Sequence, residues 1–273
     1  MHQSNYGQYE VPRKLLELIE LQKELDSQGL LQYGNLLGLS FMLESVEGRY
    51  LNTPVDVIPF AWTGSDGGHF GFLTDFGQVS SLQEAYIVRI SPMDFDEPVK
   101  LVARHLNDFI ALMYQYRYAV EVLDVSSSQT QIERFNAGTL KHEKSAREQS
   151  ILDAFYEKFK PETLPSLTDY FLQLKKDRAA AVVVDTDDGI GVIKACASEC
   201  IQQIPFALER DLQPNLDEVK MYFAKSPLEY KLAFIRDAQS YAILFDEPLL
   251  KQFIIEELQR LNLGEETLRL SYS

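Results

Sequence analysis

Two short stretches hold the residue types that could do chemistry. In "VVVDTDDGIGV", Val182 to Val192, a β-branched run ends in Asp185 and Asp187. Two carboxylates at a strand's end can divide a displacement at phosphorus, one attacking and the other handling the leaving group's proton. A phosphatase-like or metal-assisted hydrolase using Asp185 and Asp187 is one expectation from this spacing. The competing reading is an acidic turn, because Asp188-Gly189 is followed at once by "IGVIKA", which answers the strand as a hairpin would. An EF-hand loop does not fit, since no glutamate stands where its bidentate ligand belongs. The second stretch, "VDVIPFAWTGSDGGHFGFLTDFG", runs from Val55 to Gly77 and holds the chain's only tryptophan, together with His69, Asp66 and Asp75. Acid–base or metal work there would need His69 held by an acid and a second histidine or cysteine at ligand spacing. No such residue lies close.

The bland reading of the second stretch is a hairpin turning on Asp66-Gly67, a dipeptide suited to two consecutive positive φ angles. Pairing outward from that turn sets Gly64 opposite His69, Trp62 opposite Gly71 and Phe60 opposite Leu73. The indole then covers a glycine, with His69 diagonal to it on the same face. Elsewhere the chemistry is sparse. Cys196 and Cys200 share a helix face at i, i+4 spacing without a nearby histidine and are expected to be reduced and unbonded. His105 reads as a helix-surface residue, and His2 and His142 sit in polar segments. No Gly-x-Gly-x-x-Gly, Walker loop or Gly-x-Ser-x-Gly is present.

The elements around these stretches suggest α+β order. "VPRKLLELIELQKELDSQG" places Leu15, Leu18, Ile19, Gln22 and Leu25 on one helical stripe that Gly29 stops. From Tyr33 to Ile90 short apolar runs alternate with Gly, Asn and Pro, which predicts three to five strands, mainly antiparallel. A helix is expected from Val99, with Asp96 as its cap and Val102, Leu106, Phe109, Ile110 and Met113 repeating at helical spacing. Residues 1–125 would form this first domain, 126–149 a polar linker or surface excursion, and 150–273 a helix-rich α+β region containing the hairpin at Val182 to Val192. Helices are expected near 151–159, 167–174, 216–223, 228–244 and 249–263. "FDEP" occurs at Phe95 and again at Phe245, each time expected to open a helix through its Asp-Glu-Pro start rather than through duplication.

Composition narrows the partners. The chain has 273 residues, 26 Lys and Arg against 41 Asp and Glu, and a formal net charge of −15. Such a charge repels phosphate backbones and anionic lipid surfaces, so neither nucleic acid nor membrane is an expected partner. No apolar run approaches the ~20 residues of a spanning helix, and the start carries no hydrophobic signal core. Two cysteines make no disulfide framework, which agrees with a cytoplasmic location.

One resemblance is carried by "IPFAWTGSDGGHFGFLTDFG". The amphipathic first helix, the strand ending in Pro-Phe-Ala, the Thr-Gly-x-Asp-Gly-x-His-Phe turn and a terminal helix around Phe109 resemble the SUKH superfamily over Val11 to Val122. That superfamily includes Smi/Knr-like cell-wall regulators and bacterial immunity proteins. The resemblance implies a single-sheet α+β domain without catalytic residues or cofactor, used to bind proteins, among them secreted toxins. It has no counterpart for the second half. Between Tyr50 and Val99 seven acids accompany one base, Arg89, with aromatics interleaved. A basic protein partner, possibly a toxin domain, would suit that segment, and the expected binding residues are Trp62, Asp66, His69, Phe72 and Asp75. Three functions follow: a protein-binding immunity module, the hydrolase at Asp185 and Asp187, and a self-associating regulator.

Overall fold

The computed structural model describes residues 5–43, 45–46, 49–94, 97–141, 144–195, 203–210 and 212–272. The first helix, α1 (Arg13–Ser27), buries Leu15, Leu18, Leu21 and Leu25. Gly29 ends it at a φ of +70°, a left-handed conformation that glycine adopts without a Cβ penalty. Five short strands follow: β1 (Ser40–Phe41), β2 (Val57–Trp62), β3 (His69–Leu73), β4 (Tyr86–Ile90) and β5 (Val99–Ala103). They form one antiparallel sheet in chain order. Gln22 of α1 holds the edge strand by accepting from Phe41 N (2.7 Å) and donating to Phe41 O (3.2 Å). All five residues of β3 and the first five of β2 are buried. Both faces of the sheet are thus covered, which explains continuous apolar runs in place of alternation.

The β2–β3 hairpin forms, but in a different register from the expected one. Trp62 pairs with His69, Ala61 with Phe70, Pro59 with Gly71, Ile58 with Phe72 and Val57 with Leu73, with a bulge between Pro59 and Ala61. Asp66 and Gly67 do take positive φ, at +50° and +68°, and Gly68 N donates to Ser65 O (2.9 Å). Gly64 is also left-handed, and the next closed pair is Thr63 with Gly68, so the strands slide by two positions beyond the turn. Proline lacks an N–H for the ladder and suits an irregular position such as the bulge. Gly71 therefore faces Pro59, where a Cβ would fall 2.3 Å from Val57 Cγ1 and 3.0 Å from Ile58 O.

The helix expected from Val99 is two elements. Residues 99–103 form β5, and α2 (Leu106–Tyr116) begins after His105, whose Nδ1 accepts from Asp108 N (3.2 Å). His105 is the cap of this helix rather than a residue on its surface. Within the polar segment expected at 126–149, after the short α3 (Ala119–Val122), the structure places α4 (Gln129–Lys141), which buries Ile132. Then come α5 (Ala146–Phe159) and α6 (Leu167–Ala181), which pack Phe155, Tyr170, Phe171 and Leu174 into the same core as the sheet and α1.

The expected second hairpin is present as β6 (Val182–Val184) paired with β7 (Val192–Ile193). Among the described residues that follow are α7 (Leu216–Lys225), α8 (Leu228–Ser240), α9 (Ile243–Asp246), α10 (Pro248–Arg260) and α11 (Gly264–Tyr272). The second FDEP opens α10 with Pro248 at its first position, whereas Pro98 of the first leads into β5. A second core gathers around Phe223, Phe234, Ile254 and Leu258, and it takes in Val55 and Phe76 from either side of the β2–β3 hairpin. The class is α+β, an antiparallel sheet flanked by helices followed by a helix-rich region with a hairpin. Cys196, Cys200, His2, His142, Phe95 and Asp96 lie outside the described residues.

Candidate functional site

The charged residues nearest the two chemical stretches meet between the sheet and the helices that follow it. Asp56 precedes β2, and Asp75 follows β3. Arg178 from the last turn of α6 grips Asp75 with both terminal nitrogens (2.8 and 2.7 Å) and donates to the carbonyls of Ile190 and Gly191 (both 2.8 Å). Arg236 of α8 pairs with Asp56 and donates to Gly191 O (2.6 Å). Its Nε stands 3.8 Å from Asp188, in the β6–β7 turn, and its Nη2 stands 4.0 Å from Asp75. The ring of Phe76 lies under Arg236 with its centroid at 5.3 Å, adding a cation–π contact.

All five of these charged residues are buried. Burial pushes the Asp56 carboxyl upward, and the adjacent Arg236 pulls it down without fully compensating. For Arg236 itself burial disfavours the charge, but Asp56, Asp188 and Asp75 outweigh burial and hold it protonated. Asp56 Oδ1, Asp188 Oδ2 and Arg236 Nε have no hydrogen-bond partner. The neighbouring Asp237 accepts from Asp187 N (2.8 Å), and burial raises its carboxyl to about 7. These groups hold one another and the backbone in place, so their chemistry is spent inside the fold.

His69 is fully buried and neutral. Nδ1 lies 2.8 Å from Gly67 O and Nε2 3.0 Å from Thr53 Oγ1, a pattern met by the tautomer with its proton on Nδ1 and a hydroxyl donating to Nε2. Burial lowers its pKa to about 4, so it carries no charge near neutral pH. Trp62 stacks on it at 4.6 Å between centroids, and Tyr50 packs against both at 5.5 and 5.7 Å.

Of the five expected binding residues, the structure brings Trp62, His69 and the Asp66 turn together and separates off the other two. Asp66 is exposed and Trp62 is half-buried. Phe72 is wholly inside the core, its ring tilted against that of Phe60 with centroids 4.5 Å apart. Asp75 is inside with Arg178, so it cannot flank an exposed anchor. Asp185 and Asp187 are both exposed and line a cavity of about 350 Å³ together with Val99, Leu101, Lys175 and Ile190. No group of three or more His, Cys, Asp or Glu suited to a metal ion occurs among the described residues.

Arg178 and Arg236 are not among the residues the sequence singles out. A signal existed for Arg236, which interrupts the apolar run "LAFI" and "AQSYAIL" where a surface helix would not need it. Its partner, 180 positions earlier, left no local trace. No protein-family model matches the chain, and no curated protein matches it.

Proposed function

We propose that the chain is a non-enzymatic protein-binding module of SUKH type that neutralises a basic toxin domain. The observation that carries this reading is where the charge resides. Six arginines and eight carboxylates are buried among the described residues, a net of −2, so most of the net charge of −15 lies outside that buried set. A surface of one sign steers an oppositely charged partner and raises its association rate. The antiparallel sheet in chain order, with helices around it, is compatible with the SUKH resemblance.

The test is co-expression with basic domains encoded by neighbouring genes, read as restored growth and as a complex that weakens with salt. A purified chain that turns over phosphate or carboxylic esters, with turnover abolished by Asp185→Asn, overturns it. That hydrolase is the second reading, favoured by the cavity that Asp185 and Asp187 line. Self-association as a regulator is the third, and light scattering across concentration reads it directly.

A further inference from the structure

We infer that Leu51, Phe245 and Leu249 form the apolar centre of the face on which a basic protein partner docks, with Asp66, Asp246 and Glu247 as its acidic rim. This inference rests on the protein-binding reading and assigns it a place on the molecule. Phe245 is 62 % exposed, Leu249 74 %, Leu51 43 % and Tyr50 42 %, although each is large and apolar or aromatic. Single exposed apolar residues are ordinary, but contiguous ones mark interaction sites. Leu51 and Phe245 meet across the chain, Tyr50 adjoins Leu51 in sequence, and Leu249 lies four residues beyond Phe245. Leu51 and Phe245 line one shallow pocket with Ala242, Leu244 and Leu270, and Leu249 follows in the first turn of α10. On the other side Tyr50 covers Gly67 of the hairpin turn so closely that a Cβ there would fall 2.8 Å from its ring.

The charges around this strip are mostly acidic. Asp66 and Asp246 are exposed, and Glu247 is partly so; Lys251 is the cation lining the pocket. Apolar anchors inside a charged rim are the anatomy of a protein interface, where the centre supplies most of the binding energy and the rim supplies rate and register. The complementary partner places an apolar or aromatic side chain among lysines or arginines. The strip joins the segment before β2 to α9 and α10, so a bound partner bridges two stretches of chain nearly 200 residues apart.

The experiment selects from a displayed library of random twelve-residue peptides against the whole chain. Enriched peptides should combine an aromatic or large aliphatic residue with two or more basic ones. Their affinity should fall at least tenfold on Phe245→Ser and Leu249→Ser, but not on Leu172→Ser, an equally exposed leucine of α6. Because these side chains are exposed, the variants should melt within a few degrees of wild type, which separates lost binding from lost fold. Asp246→Asn with Glu247→Gln should slow association at low salt and leave it unchanged at high salt. Failure to enrich any peptide, or enriched peptides that bind Phe245→Ser as well as wild type, overturns the assignment. A cellular basic partner unaffected by these substitutions overturns the face and spares the protein-binding reading. Peptides that map to the face without any basic cellular partner do the opposite.

Discussion

His69 and Asp237 pull the pH dependence of stability in opposite directions. An unfolded histidine titrates near 6.5, while His69 resists protonation down to about 4. Between those values the unfolded chain binds more protons, so the stability His69 contributes is complete above pH 6.5 and is lost as pH falls toward 4. Asp237 has the reverse sign: its folded pKa is about 7 against the ordinary 3.8, so the folded chain binds more protons and stability falls as pH rises across that window. His69→Gln should therefore cost about 2 kcal/mol less at pH 5 than at pH 7.5 relative to wild type. Asp237→Asn should be more favourable at pH 7.5 than at pH 5, by about 2–3 kcal/mol. Urea melts of the three proteins at both pH values read both effects, and equal costs at the two pH values would contradict the burial of either group. The types of these residues were legible in the sequence. Their burial was not, because a histidine beside two glycines looks the same whether Tyr50 and Trp62 cover it or not.

Gly71 is the element-scale counterpart, a residue whose absent side chain sets the spacing of two strands. Gly71→Ala places a methyl against Val57 Cγ1, and overpacking of that kind costs about 1–3 kcal/mol. Val57→Ala should relieve most of that clash, so the double variant should be less destabilised than the sum of the two single costs, as read by chemical denaturation. Additive costs would mean that the strands simply move apart. Most helices were visible as periodicity, and the Asp66-Gly67 and Asp188-Gly189 turns were visible as dipeptides. The register was not, because Gly64 and the bulge at Phe60 add residues that no pattern announces. Nor was the division at Ala103: Val99, Val102 and Leu106 satisfy a helical stripe as readily as a strand followed by a helix. The hidden end of that strand is what puts His105, rather than Asp96, at the start of α2.

Across the whole molecule, two apolar cores meet at a seam made largely of charge. Breaking a buried pair by removing one partner costs about 3–5 kcal/mol, because the other charge is stranded in a poor solvent. Arg236→Met should have a cost of that order, and adding Asp56→Leu should recover at least half of it; calorimetry reads both, and a double variant no better than the single would mean that Arg236 acts mainly through Gly191. The sequence revealed the net charge at once. It could not reveal which charges face inward, since the Asp75–Arg178 and Asp56–Arg236 pairs join positions 103 and 180 apart. That separation also orders events during synthesis. The sheet's strands leave the ribosome with Asp56 and Asp75 still lacking their arginines, and at roughly 5–20 residues per second the second partner follows some tens of seconds later at the slower rate. Until α8 has been made, Asp56 stands without Arg236 beside an unfinished apolar face while Asp75 has already met Arg178, and remaining hydrated is cheaper for Asp56 than closing. A product stalled between residues 178 and 236 thus holds the Asp75–Arg178 pair but leaves Asp56 unpaired, and closure of the seam waits on α8.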